Sequence, residues 1–207
     1  ECMGGPCSDQ FPLRNNGISI RRCIDCSVQS VVVFGAMSGG LVTELGCRRL
    51  RIRDYTSYDN EFDGMAGYET EDSSFSGIYL YGNKAAGIST DIKFNNNKFF
   101  DVTIANNKTV GIFMRDSLDN SFTNLHISDS VQHGIFLAQV NHDPSTAATG
   151  NTFTGVVISR SGGAGMIAND ASCVNNMMVA AQFIDNRQGC ISEAASGLVE
   201  NVGAICR

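Results

Sequence analysis

The sequence predicts an all-β chain wound as a single-stranded right-handed parallel β-helix, and three observations predict it. A fixed pattern recurs: an apolar residue, two positions, a second apolar residue, one position, a third, then glycine seven residues on. Successive glycines fall 23 or 24 residues apart where no insertion intervenes. Asparagine recurs two residues before the first apolar position. A repeat of this length, carrying short period-2 runs rich in β-branched residues, is the mark of a stacked β coil rather than of a helical array.

The elements follow in order. Residues 1–20 read as an N-terminal cap, with Cys2 and Cys7 as a possible staple, and 21–196 as the coil. Residues 197–207 read as a C-terminal cap or last partial rung. The first rung is Cys23, Cys26, Val28 and Gly35, and the second is Cys47, Leu50, Ile52 and Gly64. Ile52 and Gly64 are 12 residues apart instead of 7, so "YDNEFDG" ends a rung with a five-residue insertion. Regular rungs follow: Phe75, Ile78, Leu80, Gly87; Phe99, Val102, Ile104, Gly111; Phe122, Leu125, Ile127, Gly134; Phe153, Val156, Ile158, Gly165. A second insertion lies in "VNHDPSTAATG". Asn97, Asn120, Asn151 and Asn175 form a ladder whose amides bond from rung to rung. Each rung buries its apolar positions only against the next, so about seven rungs make one domain. Parallel crossovers set the right-handed sense. Ile88, Ile112, Ile135 and Met166, each following its glycine, point inward as one column.

Composition narrows the function. A net charge of −6 lacks the basic footprint of a nucleic-acid partner. No apolar run is long enough to span a bilayer. The chain starts at Glu1 without methionine, which fits a secreted protein whose leader is gone, or a trimmed chain. The 8 cysteines gather toward the two ends and suggest local disulfides and an oxidising compartment, with buried free thiols as the alternative. Cys23 and Cys47 share one slot in adjacent rungs, about 4.8 Å apart, which permits a disulfide or plain stacking. Cys23-x-x-Cys26 has no histidine near it and no second C-x-x-C, which argues against zinc and redox roles.

The outward columns carry the candidate chemistry. Four residues after each glycine stand Gly39, Tyr68, Asp91, Arg115, Ala138 and Asn169; two after it stand Met37, Ala66, Ser89, Phe113, Phe136 and Ile167. Aromatics beside a polar column suit sugar rings, whose C–H faces stack while their hydroxyls bond polar groups. The plainer reading of Asp91 and Arg115 is a rung-to-rung surface ion pair. His133, next to Gly134, is a candidate proton carrier beside the groove. A second outward column reads Arg51, Tyr79, Thr103 and His126. Arg21, Arg22, Arg48, Arg49, Arg51 and Arg53 are a seat for an acidic polymer, or a counterweight to the acids from Asp54 to Asp72. Asp59, Glu61 and Asp63 before Gly64 partly match a calcium loop, with Glu69 or Glu71 as a last ligand. No cofactor is required, and Ca2+ is the one optional ion.

The stretch "RIRDYTSYDNEFDGMAGYETEDSSF" resembles the mannuronan (alginate) C5-epimerases, within the polysaccharide lyase-like β-helix proteins. Their rungs pair an I-R-D-S segment with a later D-G-F strand. "SVQHGIFL" is similar to their R-H-G-F rung. The matching letters are Arg53, Asp54, Asp63, Gly64, His133 and Gly134. The family's catalytic signature, Y-G-F-D-P-H-E, falls on Phe34-Gly35-Ala36-Met37-Ser38-Gly39-Gly40, where its tyrosine, aspartate and histidine are absent. The resemblance therefore implies the fold and an acidic-polysaccharide ligand, and it counts against epimerisation by that mechanism.

Two functions remain in view. One is a secreted carbohydrate-active protein acting on a uronate polymer by lyase or epimerase chemistry. There Arg115 would neutralise the carboxylate, Tyr68 or His133 would exchange protons, and Asp91 would orient. Phe113, Phe136, Arg51, Arg53 and Tyr79 would hold the chain. The other is a non-catalytic solenoid: an adhesin, fibre or surface-binding module.

Overall fold

The computed structural model describes residues 15–207. Two parallel sheets run the length of the coil. The first has eight strands: Ile18–Arg21, Leu41–Glu44, Met65–Tyr68, Ile88–Asp91, Ile112–Met114, Ile135–Leu137, Met166–Ala168 and Ile191–Glu193. The second has ten and is built on the eight-residue strands Ser27–Phe34, Arg51–Tyr58, Ser74–Tyr81, Lys98–Ala105, Ser121–Ser128 and Thr152–Ser159. A short third pairing joins Cys47–Arg48 to Thr70–Glu71. Neighbouring strands are always one coil apart in sequence, as a right-handed parallel β-helix requires. Ile18–Arg21 and Val199–Val202 already pair in these sheets, so the coil reaches beyond 21–196 at both ends.

The recurring spacing has a local cause. Each long strand carries one residue at positive φ in its middle: Ser30, Asp54, Gly77, Asp101, Asn124 and Gly155. That residue breaks the two-residue alternation, so three separate Phe75 from Ile78 and only two separate Ile78 from Leu80. Glycine, asparagine and aspartate are the residues that best tolerate this backbone, and they occupy five of these six positions, with Ser30 in the first coil. The inward side chains stack. Phe75, Phe99, Phe122 and Phe153 are fully buried, with ring centroids 4.5 to 5.0 Å apart. Ile88, Ile112, Ile135 and Met166 pair in register and are fully buried.

The recurrent glycine answers to a close approach rather than to unusual dihedrals. A Cβ on Gly87 would lie 2.8 Å from the Gly111 carbonyl oxygen, and one on Gly111 would lie 2.6 Å from that of Gly134. Backbone meets backbone here, coil after coil.

The first two coils are registered differently from the sequence reading. Ile52 pairs with Phe75 and Tyr55 with Ile78, while Ser57 pairs with Leu80. Val28, Val31 and Val33 precede them in the same slots. The rung glycine before Gly64 is therefore Gly40, whose N–H donates to the Asp63 carbonyl. Ser57 to Gly64 is the regular seven residues, and "YDNEFDG" contains no insertion. The real excursion is the later one, where Asp143 caps a 3-10 turn at Pro144–Thr146.

The asparagine ladder runs Asn97, Asn120, Asn151 and Asn176; Asn175 stands beside it at positive φ. The Oδ1 atoms of Asn120, Asn151 and Asn176 each accept a backbone N–H and a side-chain N–H from the coil before, and that of Asn97 accepts the Ser73 N–H. A second buried ladder, Asn60, Asn83 and Asn107, fixes the turn before the rung glycine.

Among the described residues two disulfides form, Cys23–Cys26 and Cys190–Cys206. Cys47 and Cys173 are free and buried. Cys23 and Cys47 do share a slot, next to the Ile24–Arg48 bridge, but Cys23 bonds Cys26 instead and Cys47 stays a thiol. Cys2 and Cys7 lie outside the described residues.

Candidate functional site

The outer face of the eight-stranded sheet holds a groove of about 740 Å³. Its axis follows from register. Tyr68 lies beside Asp91 in the parallel pairing, and Arg115 follows one coil later. With Gly40 as the rung glycine, the residue four beyond it is Glu44 and the residue two beyond it is Val42; Gly39 and Met37 belong to neither column. Glu44, Tyr68, Asp91 and Arg115 all line the groove. Phe113 and Phe136 lie beside them, stacked at 5.7 Å.

Asp91 is buried, and its carboxylate is fully engaged. Oδ1 accepts the Ile92 N–H at 2.8 Å, and Oδ2 accepts from Arg115 Nε at 2.6 Å. The Arg115 guanidinium also sits 5.5 Å over the Phe113 ring and keeps part of its surface open to the groove. Burial first, and then the nearby Asp63 and Asp91 carboxylates, push the Tyr68 phenol up to about 12, with Arg115 opposing. Tyr68 thus stays protonated at neutral pH and can donate.

The sequence reading missed several lining residues, Glu44, Phe62 and Ile92, and took Glu69 only as a candidate calcium ligand. Asp63 also lines the groove, although the sequence offers it only as a calcium ligand and as a letter of the D-G-F resemblance. It is buried; its Oδ1 accepts the Ala86 N–H at 2.9 Å and its Oδ2 has no partner. Burial pushes its carboxyl up to about 7, against the lowering effect of that hydrogen bond. A signal was available: the residues before each rung glycine, Gly39, Asp63, Ala86, Val110, His133 and Ala164, include one carboxylate.

Other candidates stand elsewhere. His133 is not among the groove-lining residues; it packs against Phe136 at 5.8 Å, and its Nδ1 accepts the Ala164 N–H. Burial lowers its pKa. Arg51 and Arg53 lie on the other sheet, beside a small cavity of about 170 Å³. Arg51 pairs with Ser74, so Thr56, not Arg51, precedes Tyr79 in the second outward column. Tyr79 is exposed on that sheet and tilts against Tyr81, itself stacked on Tyr58 and, through it, on Phe34. Three of the six early arginines pair with acids: Arg21 with Glu44, Arg48 with Glu71, and Arg49 with Asp25. Asp59, Glu61 and Asp63 do not converge. Glu61 pairs with Lys84, Asp63 turns into the groove wall, and no metal-holding cluster of three His, Cys, Asp or Glu occurs among the described residues.

No helix among the described residues is long and apolar enough to cross a membrane. No curated protein matches the chain. Three solved structures share its coil at low identity. The mannuronan C-5 epimerase AlgE4 A-module of Azotobacter vinelandii is 12% identical with a TM-score of 0.73, over 90% of this chain and 54% of that one. The AlgE6 A-module of the same organism is 13% identical with a TM-score of 0.68, over 92% and 54%. The periplasmic alginate epimerase AlgG is 15% identical with a TM-score of 0.56, over 86% and 49%. This chain spans about half the length of each. With the corrected register, the rung before Asp63-Gly64 reads Gly39-Gly40-Leu41-Val42-Thr43-Glu44-Leu45, and the signature's tyrosine, aspartate and histidine are absent there as well. The family model for the right handed beta helix region matches residues 16–183, and the chain belongs to that family.

Proposed function

We propose that the groove binds an acidic, uronate-type polysaccharide lying along the coil axis. The observation that carries this is the pairing of a stacked aromatic strip, Phe113 and Phe136, with the polar column Tyr68, Asp91 and Arg115. Adjacent coils are about 4.8 Å apart, close to one sugar unit, so successive residues of the column meet successive sugars. Arg115 supplies the cation for a uronate carboxylate, and Tyr68 supplies a donor. The epimerase names of the structural neighbours agree with this ligand class. The two disulfides, and the periplasmic description of AlgG, support an oxidising, secreted setting.

Binding without turnover is the better-supported form. Lyase and epimerase chemistry both remove the proton beside the uronate carboxylate and need a base with a free lone pair. Of the predicted proton carriers, both Asp91 oxygens hold hydrogen bonds, His133 Nδ1 is engaged and Tyr68 holds its proton; Asp63 Oδ2 has no partner, but burial pushes that carboxyl up to about 7, so below neutrality it carries a proton. The second reading, catalysis, is favoured by one observation: a phenol donor and a guanidinium share one column over the groove.

The test is to titrate the protein with oligomers of mannuronate, guluronate and galacturonate while following absorbance for unsaturated ends and NMR for C5 inversion. Binding without new products is expected. Arg115→Ala should weaken it more than Arg160→Ala, whose arginine pairs with Asp129 off the groove. Equal effects at the two arginines, or no binding, would overturn the proposal; products would establish the catalytic reading.

A further inference from the structure

Resting on that glycan reading, one more residue of the groove acquires a role. Asp63 Oδ2 is a buried polar atom with no partner in the protein, and it belongs to a side chain that lines the groove. A buried polar atom left unpaired costs free energy in the empty protein, and a ligand that pairs with it recovers that cost. The other carboxyl oxygen is fixed by the Ala86 N–H, so the free oxygen is held in one orientation.

We propose that Asp63 is a ligand-contacting residue of the groove, its carboxyl donating a hydrogen bond from Oδ2 to an oxygen of the sugar bound over its coil. The charges around it favour the neutral acid as the contacting form. Glu44 precedes it in the coil, Tyr68 and Glu69 follow it, and Asp91 and Arg115 face the groove from the next two coils. Arg115 is shared between Asp91 and the open groove, and Glu44 is paired with Arg21. His133, three coils on in the same column, is bonded to Ala164. An ionised Asp63 would add another anion to a groove that holds one lining arginine against three other acids, and a uronate would be repelled. The neutral acid donates instead. Its position near neutrality, a consequence of burial, makes this contact depend on pH.

Three proteins separate the possibilities: native, Asp63→Asn and Asp63→Ala. Asparagine keeps the acceptor for Ala86 and puts a permanent donor where Oδ2 stands; alanine removes both. Affinity for mannuronate and galacturonate oligomers is measured by calorimetry from pH 5.5 to 8.5, with circular dichroism confirming the fold of each. Native affinity should fall about tenfold as pH rises through 7, the size expected for losing one hydrogen bond of this kind. Asp63→Asn should hold its affinity across the range, and Asp63→Ala should be weak throughout. A native protein that binds but shows the same affinities and pH profile as Asp63→Asn and Asp63→Ala would overturn this inference alone. Failure of the native protein to bind either oligomer at any pH would overturn the glycan reading, and this role with it.

Discussion

Arg115 reaches back one coil to Asp91, and its Nε donates to Oδ2 at 2.6 Å. The Asp91 side chain is 7% exposed, whereas the arginine side chain is 39% exposed. Removing Arg115 strands a buried charge, while removing Asp91 releases an arginine that water can reach. Arg115→Gln should therefore destabilise by about 1–2 kcal/mol, after discounting for the exposed partner. The double variant with Asp91→Asn should cost less than the sum of the two singles. Urea denaturation of all four proteins gives the coupling. Simple additivity would show that the pair contributes nothing beyond its separate members.

The asparagine ladder makes a sharper stability prediction. Asn120 donates to the Phe94 carbonyl and accepts the Asn97 backbone N–H inside the coil. Asn120→Ala should cost on the order of 2–4 kcal/mol, since it leaves both buried groups without partners. Asn176→Ala should behave likewise, because Asn176 satisfies the Ala148 and Cys173 carbonyls. Asn175→Gly should change the melting temperature little, as Asn175 only occupies a positive φ. Interchanged results at 175 and 176 would place the ladder on the wrong residue.

Asp63 also ties stability to pH. Its carboxyl moves from the ordinary 3.8 to about 7 in the folded chain. Between those values the folded state holds a proton that the unfolded state has lost, so this contribution is greatest at low pH and is lost as pH rises through 7. Asp63→Asn should therefore stabilise the protein at pH 8 by up to about 4 kcal/mol, and change little near pH 4. Melting curves of both proteins across this range decide it. A constant offset between them would mean that Asp63 ionises as freely as a surface carboxylate.

Cys190 and Cys206 close a loop of 16 residues at the C-terminal end of the coil. A loop of that size contributes about 3 kcal/mol when cross-linked, mainly by restricting the unfolded chain. Cys206→Ser should lose about that much stability under oxidising conditions and match the native protein under dithiothreitol. Cys47 and Cys173, fully buried, should react with a thiol reagent only after denaturation. Ready reaction in the native protein would contradict their burial.

Residues 73–170 were legible because each coil there repeats one mechanical event, a strand bent by a left-handed residue, which spaces the inward side chains three and then two apart. The first coils were misread by five residues because Cys47, Leu50 and Ile52 mimic that spacing and are themselves buried. The true third slot holds Ser57, a buried hydroxyl bonded to Asn60, which a search for apolar residues passes over. At the site, Tyr68, Asp91 and Arg115 were visible because strand alternation projects them alike. Asp63 was recognised as a loop acid and as a letter of the D-G-F resemblance, but not as part of the groove. What brings it into the groove is burial in the turn before the strand, a property no single side chain announces.

The glycine that opens each groove-facing strand leaves no room for a Cβ against the carbonyl of the next coil's glycine, so main chain packs on main chain beneath the groove. The floor behaves as a ruler with main-chain graduations. Exposed side chains above it can change while the interval between coils stays the same. A ligand with a longer or shorter repeat would fall out of step within a few units. Diversification of this surface would thus alter which polymer is held without altering the stride at which it is measured.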